Sequence, residues 1–161
     1  MRSSLFSLVL ALSVAPALHA ASAPADPNTG VTLQVQVSFA ETQRPPHDVA
    51  FVSALVSRIH DTFAAQGYTG SIVEATGRET PNETSVLLKA RVTEIRIRDA
   101  RANCTFTASV RTHADELPLR EYRVRNLNLS PEAKVKEPDA ALLRLYQDLA
   151  GSKLVPGLAT S

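Results

Sequence analysis

The stretch Asp48–Gly67, DVAFVSALVSRIHDTFAAQG, decides the fold. Val52, Leu55, Val56, Ile59 and Phe63 recur at steps of three and four, which places them on one stripe of an α-helix spanning Asp48–Gln66. Ser53, Ser57, Arg58 and Asp61 fall elsewhere on the wheel and can face water. Asp48 can cap the helix, its carboxylate accepting from free amides of the first turn. Gly67 supplies a left-handed residue that ends it, and Tyr68 can fold back against the last turn. An apolar stripe of this width has to be buried, and alternating segments on either side offer a surface to cover it.

Upstream, Val31, Leu33, Val35, Val37 and Phe39 alternate with Thr32, Gln34, Gln36 and Ser38, the period of a half-buried strand. Pro45 and Pro46 break the link that follows. Downstream, Gly70 opens a short strand, Ser71–Ala75. A strand, helix and strand joined by short links imply a right-handed crossover with the two strands parallel. After a polar loop, Arg78–Thr84, come three strands of an antiparallel meander. In the first, Ser85–Arg98, Leu88, Ala90 and Val92 share one parity and Ile95 and Ile97 the other, so a β-bulge is expected near Thr93–Glu94. Cys104–Val110 is the second; a turn through Glu116–Pro118 leads to the third, around Tyr122 and Val124. Beyond a charged loop, Ser130–Lys136, Pro138 takes a first-turn position, and Leu142, Leu145, Tyr146 and Leu149 mark a second amphipathic helix ending near Lys153–Val155. The expectation is a single α+β domain over residues 31–157, in β-α-β-β-β-β-α order, with a mixed four- or five-stranded sheet, two helices on one face and a tail at 158–161.

The first residues read differently. Arg2, the apolar run Leu5–Ala15, the break at Pro16 and the small residues at Ala17 and Ala20–Ala23 form the layout of a cleavable secretory signal over residues 1–22, with the cut after Ala20 or Ser22. The run is short for an anchor helix. Residues 23–30 form a flexible lead-in. This layout predicts a periplasmic protein, with export into the medium as the alternative, and no transmembrane segment in the mature chain. The full chain carries 17 basic and 16 acidic side chains, and loss of Arg2 with the signal balances them. A chain with no net field is not expected to bind nucleic acid.

Chemistry-bearing residues are sparse. Cys104 is the sole cysteine, so an internal disulfide is impossible, and its alternation with Phe106, Ala108 and Val110 marks it as buried and inert. His47, His60 and His113 lack ligand-spaced partners for a metal; His60 and Asp61, adjacent on a helix, should point apart. Cys104 and His113 lie too far apart along the chain for a nucleophile and base. Neither a catalytic residue, a metal site nor a cofactor is expected, and the chain is read as non-enzymatic. Asn82-Glu-Thr84, Asn103-Cys-Thr105 and Asn128-Leu-Ser130 match the glycosylation triplet but read as coincidental behind a signal of bacterial character.

The strongest surface signal is arginine. From Arg78 to Arg125 there are ten basic and seven acidic residues, and Arg96, Arg98, Arg123 and Arg125 alternate with apolar neighbours, as candidates for a binding face. Such a face suits an envelope protein or an anionic envelope component. The competing reading is a solvated surface in which Glu94, Asp99, Asp115, Glu116 and Glu121 make weak ion pairs.

The element order, the helix closing in Ala65-Gln66-Gly67-Tyr68, the strand Val86–Ile97 and the last helix Pro138–Leu154 together resemble small bacterial envelope modules. These are the YajG-like lipoproteins, the auxiliary lipoproteins of envelope ABC transporters and the amino-terminal domain of TolB. The resemblance implies a non-catalytic role in holding partners or assembling envelope machinery, without the lipid anchor, because the attachment cysteine is absent. A secreted inhibitor or effector-like protein, probing with Arg78–Thr84 or Ala114–Arg120, is the alternative.

Overall fold

The structure, a computed structural model, describes residues 31–46, 48–130 and 137–158. The expected signal and lead-in, His47 and most of the Ser130–Lys136 loop lie outside the described residues. The elements are β1 (Thr32–Phe39), α1 (Asp48–Ala65), β2 (Ile72–Glu74), β3 (Ser85–Arg98), β4 (Arg101–Arg111), β5 (Glu116–Asn128) and α2 (Ala140–Ser152). The strands form one five-stranded mixed sheet in the order β2-β1-β3-β4-β5. β1 pairs in parallel with β2 and β3, and β3-β4-β5 is an antiparallel meander. The chain is thus an α+β fold in the expected order, with the five-strand alternative realised.

Register places the apolar residues of all the long strands on one face. Val35 lies beside Leu88, Leu88 beside Val110, Val92 beside Phe106 and Phe106 beside Tyr122. Both helices cover this face, and side chains from sheet and helices merge into one core that includes Leu33, Leu55, Phe63, Leu142, Leu145 and Leu149, each with no solvent exposure. Burying each side chain of this size contributes about 1.5–3 kcal/mol. Phe63 anchors the joint between the helices, with its ring edge-on to Tyr68 at 6.3 Å and to Tyr146 at 5.1 Å.

The helix stripe is rotated from the expected one. Phe51, Ala54 and Thr62 are buried with Leu55, Ile59 and Phe63, while Val52 and Val56 only flank the core. The i, i+4 series through Phe51, Leu55 and Ile59 faces the sheet, and Phe51 meets the Phe39 ring at 5.7 Å. At the helix ends, the Asp48 carboxylate accepts from Val49 N at Oδ1 and from both Nε and Nη2 of Arg44 at Oδ2, and the guanidinium holds it below the usual carboxylate range. Gly67 has φ +87°, the left-handed conformation the stop requires.

Three further corrections concern ends and turns. β5 begins at Glu116, so the turn is Thr112–Asp115 and Pro118 lies within a strand. Proline is tolerated there because β5 is an edge strand and Pro118 borders a register shift between Thr107 and Ser109. Pro138 lies outside α2, whose N-cap is Asp139, accepting from Ala141 N and Leu142 N. Leu158 is buried, so packing runs one residue past the expected boundary at 157.

Among the described residues, the opposite face of the sheet is covered only on its β1 side. Residues 75–84 carry the chain from the end of β2 back to the start of β3, behind β1. Gly77 packs against Gln36 there, so a Cβ at that position would lie 2.9 Å from the Gln36 amide nitrogen. Pro81 of this crossing and Leu87 of β3 are both buried. One carboxylate organises its outer bend: Glu79 accepts from the amides of Thr76, Gly77 and Arg78 and from the Thr76 hydroxyl. These bonds lower its pKa to about 2.

Candidate functional site: an arginine-bearing sheet face

The C-terminal part of β3 outruns β1, whose pairing ends at Phe39 opposite Val92. From there β3, β4 and β5 continue as a three-stranded ribbon. Its backbone is shaped by two irregularities. The first is the expected bulge on β3, where the register with β4 shifts between Val92 and Glu94. The Thr93 hydroxyl donates to Thr105 O there, and Gln43 Oε1 accepts from the Ile95 amide on the free edge of the strand. The second lies on β5, where Arg125 and Asn126 oppose the single residue Asn103. Asn126 takes φ +52°, and its amide donates to Asn103 Oδ1 at 2.9 Å.

These irregularities bend the ribbon and dish its open face. Strand alternation sends Glu94, Arg96 and Arg98 of β3, Arg101, Asn103 and Thr105 of β4, and Glu121, Arg123 and Arg125 of β5 to that face. Arg96 sits beside Asn103, and Glu94 and Arg123 both sit beside Thr105. A concavity of about 440 Å³ is lined by Glu94, Arg96, Asn103, Thr105, Arg123 and Arg125, among others. A second, of about 630 Å³, adjoins it toward the hairpin end and is lined by Arg96, Arg98, Asp99, Arg101, Asn103 and Asn126. The structure therefore brings all four candidate arginines to one surface: Arg96, Arg123 and Arg125 around the first depression, Arg98 in the second.

Both sequence readings of this face leave a trace in its electrostatics. Arg96 pairs with Glu94 at 3.0 Å, Arg98 with Asp99 at 3.5 Å and Arg123 with Glu121 at 3.3 Å. Each pair joins near neighbours on one strand or at its turn, with the arginine side chains 71–94% exposed. Exposed pairs of this kind are worth about 0–1 kcal/mol and exchange readily for another anion. Arg101 and Arg125 make no ion pair among the described residues. A planar guanidinium offers two parallel donors to a carboxylate or phosphate, so this face can hold an anion bidentately.

The other chemistry-bearing side chains do not converge. Among the described residues no three His, Cys, Asp or Glu side chains are placed to share a metal ion. Cys104 is 4% exposed, and burial pushes its thiol up to about 12. His113 lies past the far end of β4, in the Thr112–Asp115 turn, seven strand residues of about 3.3 Å each beyond Cys104 before the turn begins. His60 and Asp61 depart from expectation: their side chains meet, His60 Nδ1 lying 3.3 Å from Asp61 Oδ1 on the solvent side of α1. The three triplet asparagines all hold backbone or neighbouring side chains, Asn82 and Asn128 locally and Asn103 across to β5. Asn82 Oδ1 accepts from Thr84 and Ser85, Asn103 Oδ1 from Asn126 and Asn128 Oδ1 from Ser130. No described helix is long and apolar enough to cross a membrane. No protein-family model and no curated protein sequence matches this chain significantly, so the site is defined by its geometry alone.

Proposed function

We propose that this chain is a non-catalytic binding or assembly-accessory protein of the bacterial cell envelope, acting in the periplasm, and that it meets its partner through the open face of the β3-β4-β5 ribbon. One observation carries the reading: Arg96, Arg123 and Arg125 surround a single open depression, with Arg98 in the one beside it. A shallow, cationic, hydrogen-bonding surface suits recognition of a carboxylate- or phosphate-bearing partner. The secretory layout of residues 1–22 and the pattern resemblance to YajG-like and TolB-like modules support the compartment and the role.

The alternative, a secreted inhibitor or effector-like protein, draws support from the Glu79-organised bend at Thr76–Arg78, since a loop ordered in advance is a suitable probe. Site-specific photo-crosslinking in intact cells separates the two. Crosslinkers at positions 96, 98, 123 and 125 are expected to capture an envelope component. Adducts from positions 78–84 or 114–120, with none from the ribbon, would overturn the proposal in favour of the alternative.

A further inference from the structure

We propose that the end of the β3–β4 hairpin docks on phosphate-bearing lipid headgroups. This rests on the reading of the ribbon as the contact surface and narrows its partner to an anionic membrane surface. The hairpin runs past the last β1 pairing at Val92 and ends in the two-residue turn Asp99–Ala100; Ala102 and Leu127 just behind the turn are still buried in the core, and the exposed tip is residues 96–101. Around this end Arg96, Arg98 and Arg101 line the outer depression with Asp99 as its one carboxylate, and Arg125 lines the adjoining depression, which Glu94 shares. Ile97, between Arg96 and Arg98, is 39% exposed, one of four large apolar side chains so exposed among the described residues. Ala100 at the turn is exposed as well.

An apolar tip flanked by arginines matches the layering of a membrane interface. Phosphates meet the guanidinium groups at headgroup level, while Ile97 and Ala100 enter the boundary beneath. An acidic protein partner would need the cations but leaves the exposed Ile97 unexplained. Docking end-on also lets both faces of the hairpin contact headgroups at once, which reconciles arginines on one face with Ile97 on the other.

The test is co-sedimentation of the purified mature chain with vesicles of phosphatidylglycerol and phosphatidylcholine in equal parts, against phosphatidylcholine alone. Partitioning onto the anionic vesicles, weakening as salt is raised, is expected. Arg96→Gln and Arg125→Gln should each lower it about five-fold, and Ile97→Ser should lower it too. Arg78→Gln, the same charge change in the loop behind β1, should leave it unaltered. Arg96→Lys with Arg125→Lys should retain it within a few-fold, because a surface potential reads charge more than fork geometry. Far-ultraviolet circular dichroism confirms that each variant is folded. Equal partitioning onto both vesicle types, or an equal loss for Arg78→Gln, would overturn the inference. So would ³¹P NMR showing inorganic phosphate bound while vesicles are ignored. Capture of a protein by crosslinkers on the ribbon together with absent vesicle binding would sink this inference and leave the proposed accessory function standing.

Discussion

Replacing Ala100 by glycine should stabilise the protein. Arg98 pairs with Arg101 across the hairpin, so Asp99 and Ala100 alone make the turn, with φ +50° and +57°. Two left-handed residues in a two-residue hairpin loop define a type I′ turn, whose twist matches the strands it joins. Aspartate tolerates that region because its short polar side chain bonds locally; alanine has a Cβ against the following carbonyl and no compensating group. The strain at such a residue is about 1–2 kcal/mol, and glycine removes it. Glycine also widens the unfolded ensemble, which costs about 0.4–1 kcal/mol. The balance is a gain of roughly 0.5–1 kcal/mol, or about 2–4 °C in Tm for a domain of this size. Urea unfolding followed by far-ultraviolet circular dichroism would measure it, with Ala54→Gly in the middle of α1 as an opposite-sign control losing about 1 kcal/mol or more. If Ala100→Gly shifts the midpoint downward like Ala54→Gly, the assignment of the turn is wrong.

Thr62 is 1% exposed and its hydroxyl has no partner among the described residues, so Thr62→Val should raise stability by about 1 kcal/mol, read from the same urea midpoint. The Tyr122 hydroxyl donates to Asp148 Oδ2 at 2.7 Å, joining β5 to α2, and burial together with this carboxylate pushes the phenol pKa upward; Tyr122→Phe should cost about 1.5–3 kcal/mol, the usual worth of a bond to a charged acceptor. Glu79 titrates near 2 in the folded chain against 4.5 as its ordinary value. Its contribution to the bend is therefore complete above 4.5 and lost as pH falls toward 2. Amide hydrogen exchange at Thr76, Gly77 and Arg78 should accelerate relative to other loops across that window, and Glu79→Gln should abolish the pH dependence. Cys104 should resist a thiol reagent at neutral pH in the folded protein and react at once in urea, since its thiol is buried and held protonated.

Much of the fold is legible in the residues because local pattern and tertiary burial agree. The period-two run of β1, the stop at Gly67 and the parity slip near Thr93 each carry one dominant signal, and each matches the structure. Errors occur where two signals compete. Pro118 looks like a turn residue, but an edge strand is paired on one side only, and beside a register shift a missing N–H is tolerated. Pro138 looks like a first-turn proline, but Asp139 beside it is the stronger cap. The helix stripe was centred too far toward Val52 and Val56 because Phe51, one turn ahead of Leu55, lies near the start of the helix where the pattern has few repeats.

At the candidate site, alternation alone identifies which arginines share a face. It does not reveal the dishing, because that depends on pairing Arg125 and Asn126 against Asn103, a long-range register set by one side-chain hydrogen bond. The passage of residues 75–84 behind β1 is equally silent in the sequence, since an irregular segment has no period to read. It explains which half of the sheet remains open, and hence why the arginines of the meander are exposed while Thr32, Gln34 and Gln36 of β1 are only half-exposed.

The interior position of β1, between β2 and β3, bears on the order in which the protein can be assembled. β1 precedes every other described strand in the chain, yet its long neighbour β3 begins at Ser85 and its short neighbour β2 offers only three residues. A nascent chain must therefore carry the β3-side edge of β1 unpaired until more than fifty further residues have been delivered. Contacts that join such distant parts of a chain form slowly and leave sticky segments accessible to aggregation meanwhile. Cutting the chain within β3 would orphan the strand that comes first, so a fragment ending there should be degraded or held by a chaperone rather than accumulate as a smaller folded unit.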